Sequence, residues 1–376
     1  IVGDTKQLPP AAMMGAFSSR HRSSGAEHEN ILGAALDAGL PRRWLNWHYR
    51  SESEELIAFP NARYYGGELA ALPRAQRDAH VGITWRQVNG RFLCGAKGNN
   101  PVEARALVDE LTARLHEPSR QGESLGVLCL NQAQCELILD MLEESEEPLV
   151  QEALAAPAER RLFVKSFEYA QGEERDAILI SFVLSPDPAS KRLLSDFGVL
   201  SSEGGERWLN VAITRARKQV RLLTSFAPEQ IGSDCAGGVK DLRDYLMSAN
   251  SGDIQTEAPL SKPERGMMAQ EIVAALEAKG YVAQSRVGHS AFQVDIAVKR
   301  RGEKGWRLAV MLDGPEWKSH LAAADRDGMP SMLRELAHWP VSTNVWLPAW
   351  LRNREGELAR LVGLVEPSPR ASRIPA

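Results

Sequence analysis

Two arginine-containing segments offer the chemistry of phosphoryl transfer. Arg50 lies in the run WLNWHYRS, and Arg215 lies in the run LNVAITRARK. When a terminal phosphoryl group leaves a nucleoside triphosphate, negative charge develops on its oxygens, and a guanidinium group held nearby stabilises that charge. A single arginine is usually a solvated or ion-paired surface residue, so this interpretation depends on the residues that accompany the pair.

Two further segments carry polar groups suited to a nucleotide. The chain begins IVGDTKQLPP, which indicates the end of a buried strand, a turn at Asp4, and an amide at Gln7. The carboxyl edge of an open α/β sheet, where such a turn lies, is where these sheets bind ligands. In SFEYAQGEERDAILIS, Gly172 allows close backbone approach, and Glu173 can accept hydrogen bonds from a ribose. Four motifs therefore occur in a fixed order.

The phosphate-binding loop that such a site requires is missing. No G-x-x-x-x-G-K-[ST] sequence occurs in the 376 residues. We therefore expect that the nucleotide-cradling lobe belongs to the same polypeptide and lies upstream of Ile1. This N-terminal lobe is an expected interaction partner of the present chain.

The elements that must position these residues follow an α/β pattern. From Trp44 to Ala249, apolar runs typical of strands alternate with amphipathic helices, which predicts a parallel sheet. Within this part, LGVLCL indicates a buried strand, and WLNVAITRARK indicates a helix that includes Arg215. The stretch 249–264 is rich in Ser, Gly and Pro and is predicted to be a linker. A smaller αβββαβ domain follows, with NVWLPA as its last strand.

Composition limits the choice of function. A hydrophobic fraction of 43% suffices for sizeable cores, and the net charge of -4 means that nucleic acid would need a local basic groove. The four cysteines form no C-x-x-C pair, which predicts reduced, buried thiols in a cytoplasmic protein. No apolar run approaches the roughly 18 to 20 residues that span a bilayer, so no membrane association is expected.

The four motifs carry a family resemblance. GDTKQLPP, HYRS, AQGEERD and LNVAITRAR resemble motifs III, IV, V and VI of superfamily 1 helicases, in the group akin to the nonsense-decay helicases. The sequence is most similar to large bacterial helicases with a C-terminal nuclease-like domain. This resemblance implies a RecA-like parallel sheet lobe, the cofactors ATP and Mg²⁺, and a single-stranded or duplex nucleic acid as partner, with DNA favoured over RNA.

The resemblance also implies roles for particular residues. Gln7 would sense the γ-phosphate, and Arg50 and Arg215 would be the arginine fingers. Four other residues would lie beside the nucleotide and one beside the nucleic-acid backbone: Asp4, Tyr49, Gly172 and Glu173 for the nucleotide, and Ser166 for the nucleic acid.

The C-terminal domain is similar to very-short-patch-repair-type endonucleases, which hold Mg²⁺ with acidic side chains at strand ends. Asp295 in FQVDIAV and Asp313 in LDG match two such positions. Met311 stands where these enzymes have glutamate, and Ala269 stands where the first helix has an acid. Asp325 and Asp327 remain nearby. Since methionine cannot bind Mg²⁺, the site is predicted to be a degenerate remnant.

An alternative nuclease signature is Glu316-Trp317-Lys318, which resembles the E-x-K half of the restriction-endonuclease motif. It follows Gly314-Pro315 and therefore lies beyond the predicted strand, so we expect exposed loop charges here rather than a catalytic pair.

The predicted organisation has five parts. They are the remnant of a first RecA-like lobe (1–42), a second RecA-like lobe (43–248), a linker (249–264), a small restriction-endonuclease-like α/β domain (265–352) and a tail (353–376). The expected function is that of the C-terminal part of an ATP-dependent helicase. The alternative is a nucleic-acid-binding or partner-docking module with no catalysis of its own.

Overall fold

The computed structural model describes residues 1–8, 30–76, 78–95, 97–194, 196–251, 266–314, 317 and 327–366. The chain forms two compact units. The first comprises Ile1–Leu45, Arg63–Tyr65 and Gly82–Gln255, and the second comprises Asn46–Ala62, Gly66–Val81 and Thr256–Ala376.

The first unit contains a five-stranded parallel sheet with strand order β1-β5-β4-β2-β3. This confirms the predicted RecA-like α/β class. The elements of the chain up to residue 251 are α1 (Ile31–Asp37), α2 (Glu54–Tyr64), β1 (Gly82–Gln87), α3 (Pro101–His116), β2 (Leu125–Cys129), α4 (Gln132–Glu143), α5 (Pro148–Ala155), β3 (Phe163–Ser166), β4 (Arg175–Ser181), α6 (Gly205–Ile213), β5 (Ala216–Thr224) and α7 (Gly237–Ser251).

Local sequence explains the central elements of this sheet. Every residue of β2 is buried, as expected for an apolar strand covered on both faces. Asn131 then caps α4 by accepting a hydrogen bond from the backbone of Gln134, and Asn100 caps α3 in the same way. Leu107, Leu111 and Ile138 project from these helices into the core and are completely buried.

A buried carboxylate fixes the carboxyl ends of two strands. Glu103, in the first turn of α3, accepts hydrogen bonds from Ser181 Oγ (2.7 Å), Val183 N (2.8 Å) and Ser225 Oγ (2.6 Å). Ser181 ends β4, and Ser225 directly follows β5. Burial raises the pKa of Glu103 to about 7, although these hydrogen bonds oppose the rise. The side chain is therefore partly protonated near neutral pH.

We predict that Glu103 makes the stability of the chain dependent on pH. Its pKa rises on folding from an ordinary value of 4.5 to about 7, so between these values the folded state binds more protons than the unfolded state. The free energy of unfolding therefore falls as pH rises through this window, by about 3 kcal/mol for this group. Glu103→Gln should remove that fall, as measured by denaturant unfolding at pH 5 and pH 8.

The matched control for this measurement is Glu144→Gln at the exposed end of α4, which should leave the pH profile unchanged. An unaltered profile in Glu103→Gln would contradict the assigned role of the buried carboxylate.

The second unit contains a four-stranded mixed sheet with strand order β6-β7-β8-β9. The pairs β6–β7 and β7–β8 are antiparallel, and β8–β9 is parallel. Its further elements are α8 (Met267–Ala278), β6 (Val282–Val287), β7 (Val294–Lys299), β8 (Leu308–Leu312), α9 (Met329–Glu335), β9 (Val341–Val345), α10 (Leu347–Arg352) and α11 (Arg354–Val365).

Both faces of this sheet are covered. One face packs against α8, α10 and α11, with Ile272, Trp350 and Leu361 in its core. The other face packs against α9 and against residues Ala70 and Leu72, which precede β1 in the chain. The sequence boundaries assigned the segment of Ala70 and Leu72 to the helicase lobe and α11 to a tail, whereas apolar burial joins both to this unit.

Three elements differ from the sequence prediction. Helix α6 ends at Ile213, so Arg215 lies in the connection to β5 rather than on the helix. The last strand is Val341–Val345, because Pro348 opens helix α10 in the stretch predicted to be strand. Helix α7 also continues to Ser251, past the predicted start of the linker.

The cysteine prediction was partly wrong. All four cysteines are free thiols, but Cys94 is exposed and Cys235 is half-buried, because both lie in loops. Only Cys129 and Cys135, on β2 and α4, lie in the core. Within the described part of the chain, every helix is too short or too polar to span a bilayer.

Candidate functional site

Helix α6 is tied to the first residues of the chain by a polar network in the first unit. Asp4 Oδ2 accepts hydrogen bonds from Gln7 Nε2 (3.0 Å) and from the hydroxyl group of Tyr65 (2.8 Å). On the helix, Asn210 Nδ2 donates to that hydroxyl group (2.9 Å) and to the carbonyl of Lys6 (2.8 Å). The structure thus brings Asp4 and Gln7 of motif III to the helix of motif VI.

Burial determines the hydrogen-bonding state of two side chains in this network. Asn210 is completely buried, and its Oδ1 atom has no hydrogen-bond partner among the described residues. Burial, together with the charge of Asp4, raises the pKa of Tyr65, so its hydroxyl group remains a donor to the carboxylate at neutral pH. A buried amide oxygen without a partner costs free energy, which favours a site where a further donor can reach it.

Arg215 lies just beyond the carboxyl end of the same helix. It is only 3% exposed, and its guanidinium group donates to the carbonyl of Val211 (2.8 Å) and to Thr214 Oγ1 (3.0 Å). These bonds orient the side chain along the last turn of α6. A guanidinium group has five N–H donors, so it can keep part of this anchoring while it donates to an anion.

The motif V turn lies beside Arg215, because Arg175 at the start of β4 pairs with Ala216 at the start of β5. The backbone N–H of Arg175 donates to the carbonyl of Arg215 (3.2 Å). Gly172 has a φ of +91°, a conformation that favours glycine, and a side chain there would meet open space. The turn between β3 and β4 is thus open to close approach.

The remaining polar residues of this turn are partly paired. Glu173 accepts from Lys165 Nζ (2.6 Å) and forms a longer ion pair with Arg175 (3.4 Å). Ser166 is buried, with its Oγ atom 3.4 Å from Glu168 Oε2. Gln171 Oε1 is buried without a hydrogen-bond partner among the described residues. The structure therefore brings motifs V and VI together at the starts of β4 and β5.

Tyr49 and Arg50 belong to the second unit. Tyr49 is 57% exposed and stacks on Trp47, with ring centroids 6.1 Å apart. Arg50 is half-buried between the flanking residues His48 and Ser51, whose side chains are hydrogen-bonded (2.8 Å). The motif IV residues thus lie on a short, closed turn.

The nuclease-like residues also lie in the second unit. Asp295 on β7 accepts from the backbone N–H of Leu312 (2.7 Å), and Asp313 accepts from the backbone N–H of Leu347 (2.8 Å). Ile296 pairs with Val310, so the register of the antiparallel strands sets Asp295 opposite Met311, on the same face of the sheet. Both aspartates therefore use part of their acceptor capacity on backbone groups.

Other acidic residues predicted near this site are only partly described. Glu316, Lys318 and Asp325 lie outside the described residues, whereas Asp327 is described and exposed. In the described ranges, no group of three or more His, Cys, Asp or Glu side chains is arranged to hold a metal ion.

Sequence reasoning missed Tyr65 and Asn210 as site residues. Their side chains are hydrogen-bonded although they lie 145 positions apart. Both stand inside the conspicuous runs NARYYGGEL and LNVAITRAR, but residue type alone does not show that a tyrosine and an asparagine share one network. Lys165 was missed for the same reason.

The parallel sheet of the first unit, with residues of motifs III, V and VI close to α6, is that of a RecA-like lobe. Residues 29–226, more than half of the chain, match a family described as an AAA domain. Residues 269–364 match the restriction-endonuclease family REase_MTES_1575. The chain belongs to this AAA domain family of superfamily 1 helicase-like proteins and carries a restriction-endonuclease-like domain after it.

Curated relatives agree with this family. The ATP-dependent helicase MG140 homolog of Mycoplasma pneumoniae is 34% identical over 290 residues, and MG140 of Mycoplasma genitalium is 32% identical over 284 residues. Each alignment covers 70% of this chain and 25% of the relative. Helicase MOV-10 of Gallus gallus is 28% identical over 251 residues, and the alignment covers 58% of this chain and 25% of MOV-10. The chain thus spans about a quarter of the length of these relatives.

A solved structure was also matched, the C-terminal domain of a possible DNA helicase from Lactobacillus plantarum. It is 16% identical, with 47% of this chain and 86% of that chain covered. The TM-score is 0.25, which is too low for this similarity to support a functional argument.

We predict that the Tyr65 hydroxyl group holds residues 1–8 against α6. Tyr65→Phe removes one charge-assisted hydrogen bond to Asp4, worth about 1.5 kcal/mol or more, and should speed hydrogen exchange at the Gln7 N–H by about tenfold. The control is Tyr169→Phe, which alters a ring that is 58% exposed. Equal protection of Gln7 in wild type and Tyr65→Phe would remove Tyr65 from the network.

Proposed function

We propose that this chain is the C-terminal part of an ATP-dependent superfamily 1 helicase that acts on nucleic acid, with DNA favoured over RNA. In this proposal Arg50 and Arg215 stabilise the charge that develops on the transferred phosphoryl group, and Gln7 senses its presence. The observation that carries the proposal is the junction at α6. The Tyr65 hydroxyl group joins Asp4 to Asn210 within this helix, and Gln7 is hydrogen-bonded to Asp4. Arg215 follows the carboxyl end of the same helix.

The arrangement suits coupling between a nucleotide and the strand it moves. A donor group that reaches Asn210 Oδ1 or Gln171 Oε1 would relieve a buried, unpaired acceptor. Because Gln7 and Asn210 share a hydrogen-bonded network, a shift of Gln7 would be transmitted to α6, which Arg215 follows. The motif V turn, with Ser166 beside it, is then the route to the nucleic-acid backbone.

The residues present fit one part of an ATP site. Arg215 offers guanidinium donors, and the open turn at Gly172 allows a ligand to approach the backbone. The phosphate loop is not in this sequence. The Asp-Glu pair that the sequence contains, Asp109-Glu110, lies on helix α3, where Glu110 forms ion pairs with Arg114 and Arg221, so it does not match the pair that would hold Mg²⁺. Bound ATP with Mg²⁺ would supply the phosphoryl group and most of its charge screening. We propose that the cradle for both comes from another lobe of the same polypeptide, in the cytoplasm.

We predict that the 376-residue chain alone does not hydrolyse ATP, because arginine fingers without a phosphate cradle have no group to act on. In a full-length helicase that contains the chain, Arg50→Ala and Arg215→Ala should each lower turnover by about 10³-fold or more. Arg217→Ala, beside Arg215 but ion-paired with Glu174 (2.6 Å), is the matched control and should retain turnover.

The measurement is the steady-state rate of ATP hydrolysis by each of the three variants in the presence of single-stranded DNA. Turnover by the chain alone, or near-normal rates in both finger variants, would contradict the proposal. Binding of DNA without ATP turnover in the full-length protein would instead favour the alternative of a nucleic-acid-binding module.

We propose in addition that the restriction-endonuclease-like domain is a degenerate nuclease. Asp295 lies on β7, Asp313 directly follows β8, and Met311 stands opposite Asp295 in place of a third oxygen ligand. Two carboxylates that also accept backbone hydrogen bonds would bind and orient Mg²⁺ weakly.

We expect Met311→Glu to raise Mg²⁺-dependent nicking of plasmid DNA above the background of the wild type, since it restores an oxygen ligand next to Asp295. The same variant with Asp295→Asn should return to background. Cleavage by the wild type that is lost in Glu316→Ala or Lys318→Ala would show that the alternative signature is the active one.

A further inference from the structure

The segment that carries Tyr49 and Arg50 is part of the core of the nuclease-like unit. Residues Asn46–Ala62 and Gly66–Val81 cluster with the C-terminal domain, although the matched AAA domain family includes them. The apolar core on one face of the β6–β9 sheet contains Ala70, Leu72 and Ala75. The motif IV segment and the nuclease-like domain therefore share one hydrophobic core.

Hydrogen bonds fix this segment at three successive points. Ser290 Oγ accepts from the backbone N–H of Ala71 (3.0 Å) and lies 2.9 Å from its carbonyl oxygen. The indole Nε1–H of Trp339 donates to the carbonyl of Pro73 (2.7 Å). The backbone N–H of Trp306 donates to the carbonyl of Ala75 (2.7 Å). Since an unsatisfied buried polar group costs free energy, both partners need this contact.

The β6–β7 hairpin has a glycine conformation and a close backbone approach where it meets this segment. Gly288 has a φ of +132°, and a side chain on it would lie 3.3 Å from the ring of Pro73 and 3.1 Å from the carbonyl oxygen of Phe292. The β6–β7 hairpin is thus shaped around the segment at this point.

Aromatic and backbone contacts extend from this core to the turn that carries Tyr49 and Arg50. Trp47 packs on Phe292, with ring centroids 5.3 Å apart, and also stacks on Tyr49. The backbone on either side of Trp47 is held by Ala70, whose N–H donates to Asn46 O (2.7 Å) and whose carbonyl accepts from the His48 N–H (2.8 Å). Trp47 therefore connects the ring of Tyr49 to Phe292 in the nuclease-like core.

A buried glutamate holds the other side of the turn. Glu54, at the start of α2, accepts from the backbone N–H groups of His289 (3.0 Å) and Ser290 (2.9 Å). Burial raises the pKa of Glu54, and the two N–H donors oppose this rise. Arg50 therefore lies between two anchors, Trp47 and Glu54, that both attach to the nuclease-like domain.

We infer that the nuclease-like domain serves as a scaffold that positions Arg50 for nucleotide hydrolysis, independently of any nuclease activity. Trp47, Glu54, Ser290 and Trp339 are its positioning residues. The inference rests on the proposed helicase function, because Arg50 acts only if the full-length protein hydrolyses ATP. A scaffold role needs the fold of the domain and its covered sheet face, and it does not need a complete set of metal ligands.

The first test follows the segment directly in this chain, without nucleotide. Trp339→Phe keeps an aromatic ring but removes the hydrogen bond to Pro73. Its matched control is Trp350→Phe, which alters an equally buried tryptophan on the other face of the same sheet, where Nε1 donates to Glu271 (3.1 Å). Hydrogen exchange at the N–H groups of His48 and Ala70 should become about tenfold faster only in Trp339→Phe.

The result that would overturn the inference is unchanged protection of His48 and Ala70 in Trp339→Phe, or an equal loss in both variants. If Trp339→Phe does not fold, Ser290→Ala removes the bonds to Ala71 with a smaller change in volume. The same exchange measurement then decides the question.

The second test asks whether Trp339 acts through Arg50 in a full-length helicase that contains this chain. A displaced arginine finger loses an interaction made in the transition state, so Trp339→Phe should lower kcat for ATP by about tenfold with little change in KM. In an Arg50→Ala background, Trp339→Phe should have no further effect, whereas any effect of Trp350→Phe should persist.

Independent, multiplicative effects of Trp339→Phe and Arg50→Ala would overturn the scaffold role. A full-length wild type without any ATP turnover would instead reject the proposed helicase function. The exchange measurement still decides between a segment anchored to the nuclease-like domain and one that is not, so the two failures can be told apart.

Discussion

The parallel pairing of β4 with β5 is the constraint on which the candidate site of the first unit depends. Arg175 and Ala216 pair at the first positions of their strands. The turn that precedes β4 and the helix end that precedes β5 must therefore emerge side by side. Motifs V and VI are far apart in sequence, and the sheet register alone makes them neighbours. Helix α6 then carries the site onward to residues 1–8.

Buried polar groups keep this arrangement specific. An apolar core tolerates many packings, but Glu103 has to satisfy hydroxyl groups after two different strands, and Asn210 has to meet both Tyr65 and Lys6. Each of these side chains would leave unpaired groups if the elements shifted by one residue. The cost of burying them therefore selects one register of helices and strands, which a site with several separate motifs requires.

Sequence patterns predicted the centre of the first unit well, because β2 and β4 contain short apolar runs and α4 begins at an asparagine cap. Asn131, for example, precedes an amphipathic run, which predicts a helix cap, and its hydrogen bond confirms this. Helix ends were harder to predict. Helix α6 continues in pattern through Arg215, but Ala216 pairs with Arg175 on a strand much earlier in the chain, and such long-range pairing leaves no local signal.

The assignment of Ala70 and Leu72 to a second core was also beyond sequence reasoning. Both residues lie within the stretch that matches the AAA domain family. Apolar residues of this size fit many cores, so their type does not indicate which core they join. Only their spatial neighbours, Phe292 and Trp339 among them, show which core they complete. Candidate site residues could be proposed from the sequence where a motif of several residues occurred together. The residues that hold them, such as Glu54 and Tyr65, could not, because a single polar residue has no pattern.

The covered sheet face gives a physical reason for the methionine at position 311. Met311 packs against the core that contains Ala70 and Leu72, on the same face as Asp295. A glutamate there would have to keep its charge near apolar side chains unless a cation or a donor compensated it. Once a nuclease-like domain holds another segment through this face, replacing a metal ligand with methionine removes that electrostatic cost and adds apolar contact. In the proposed degenerate nuclease, a methionine at the ligand position and a retained fold are therefore compatible with the same packing.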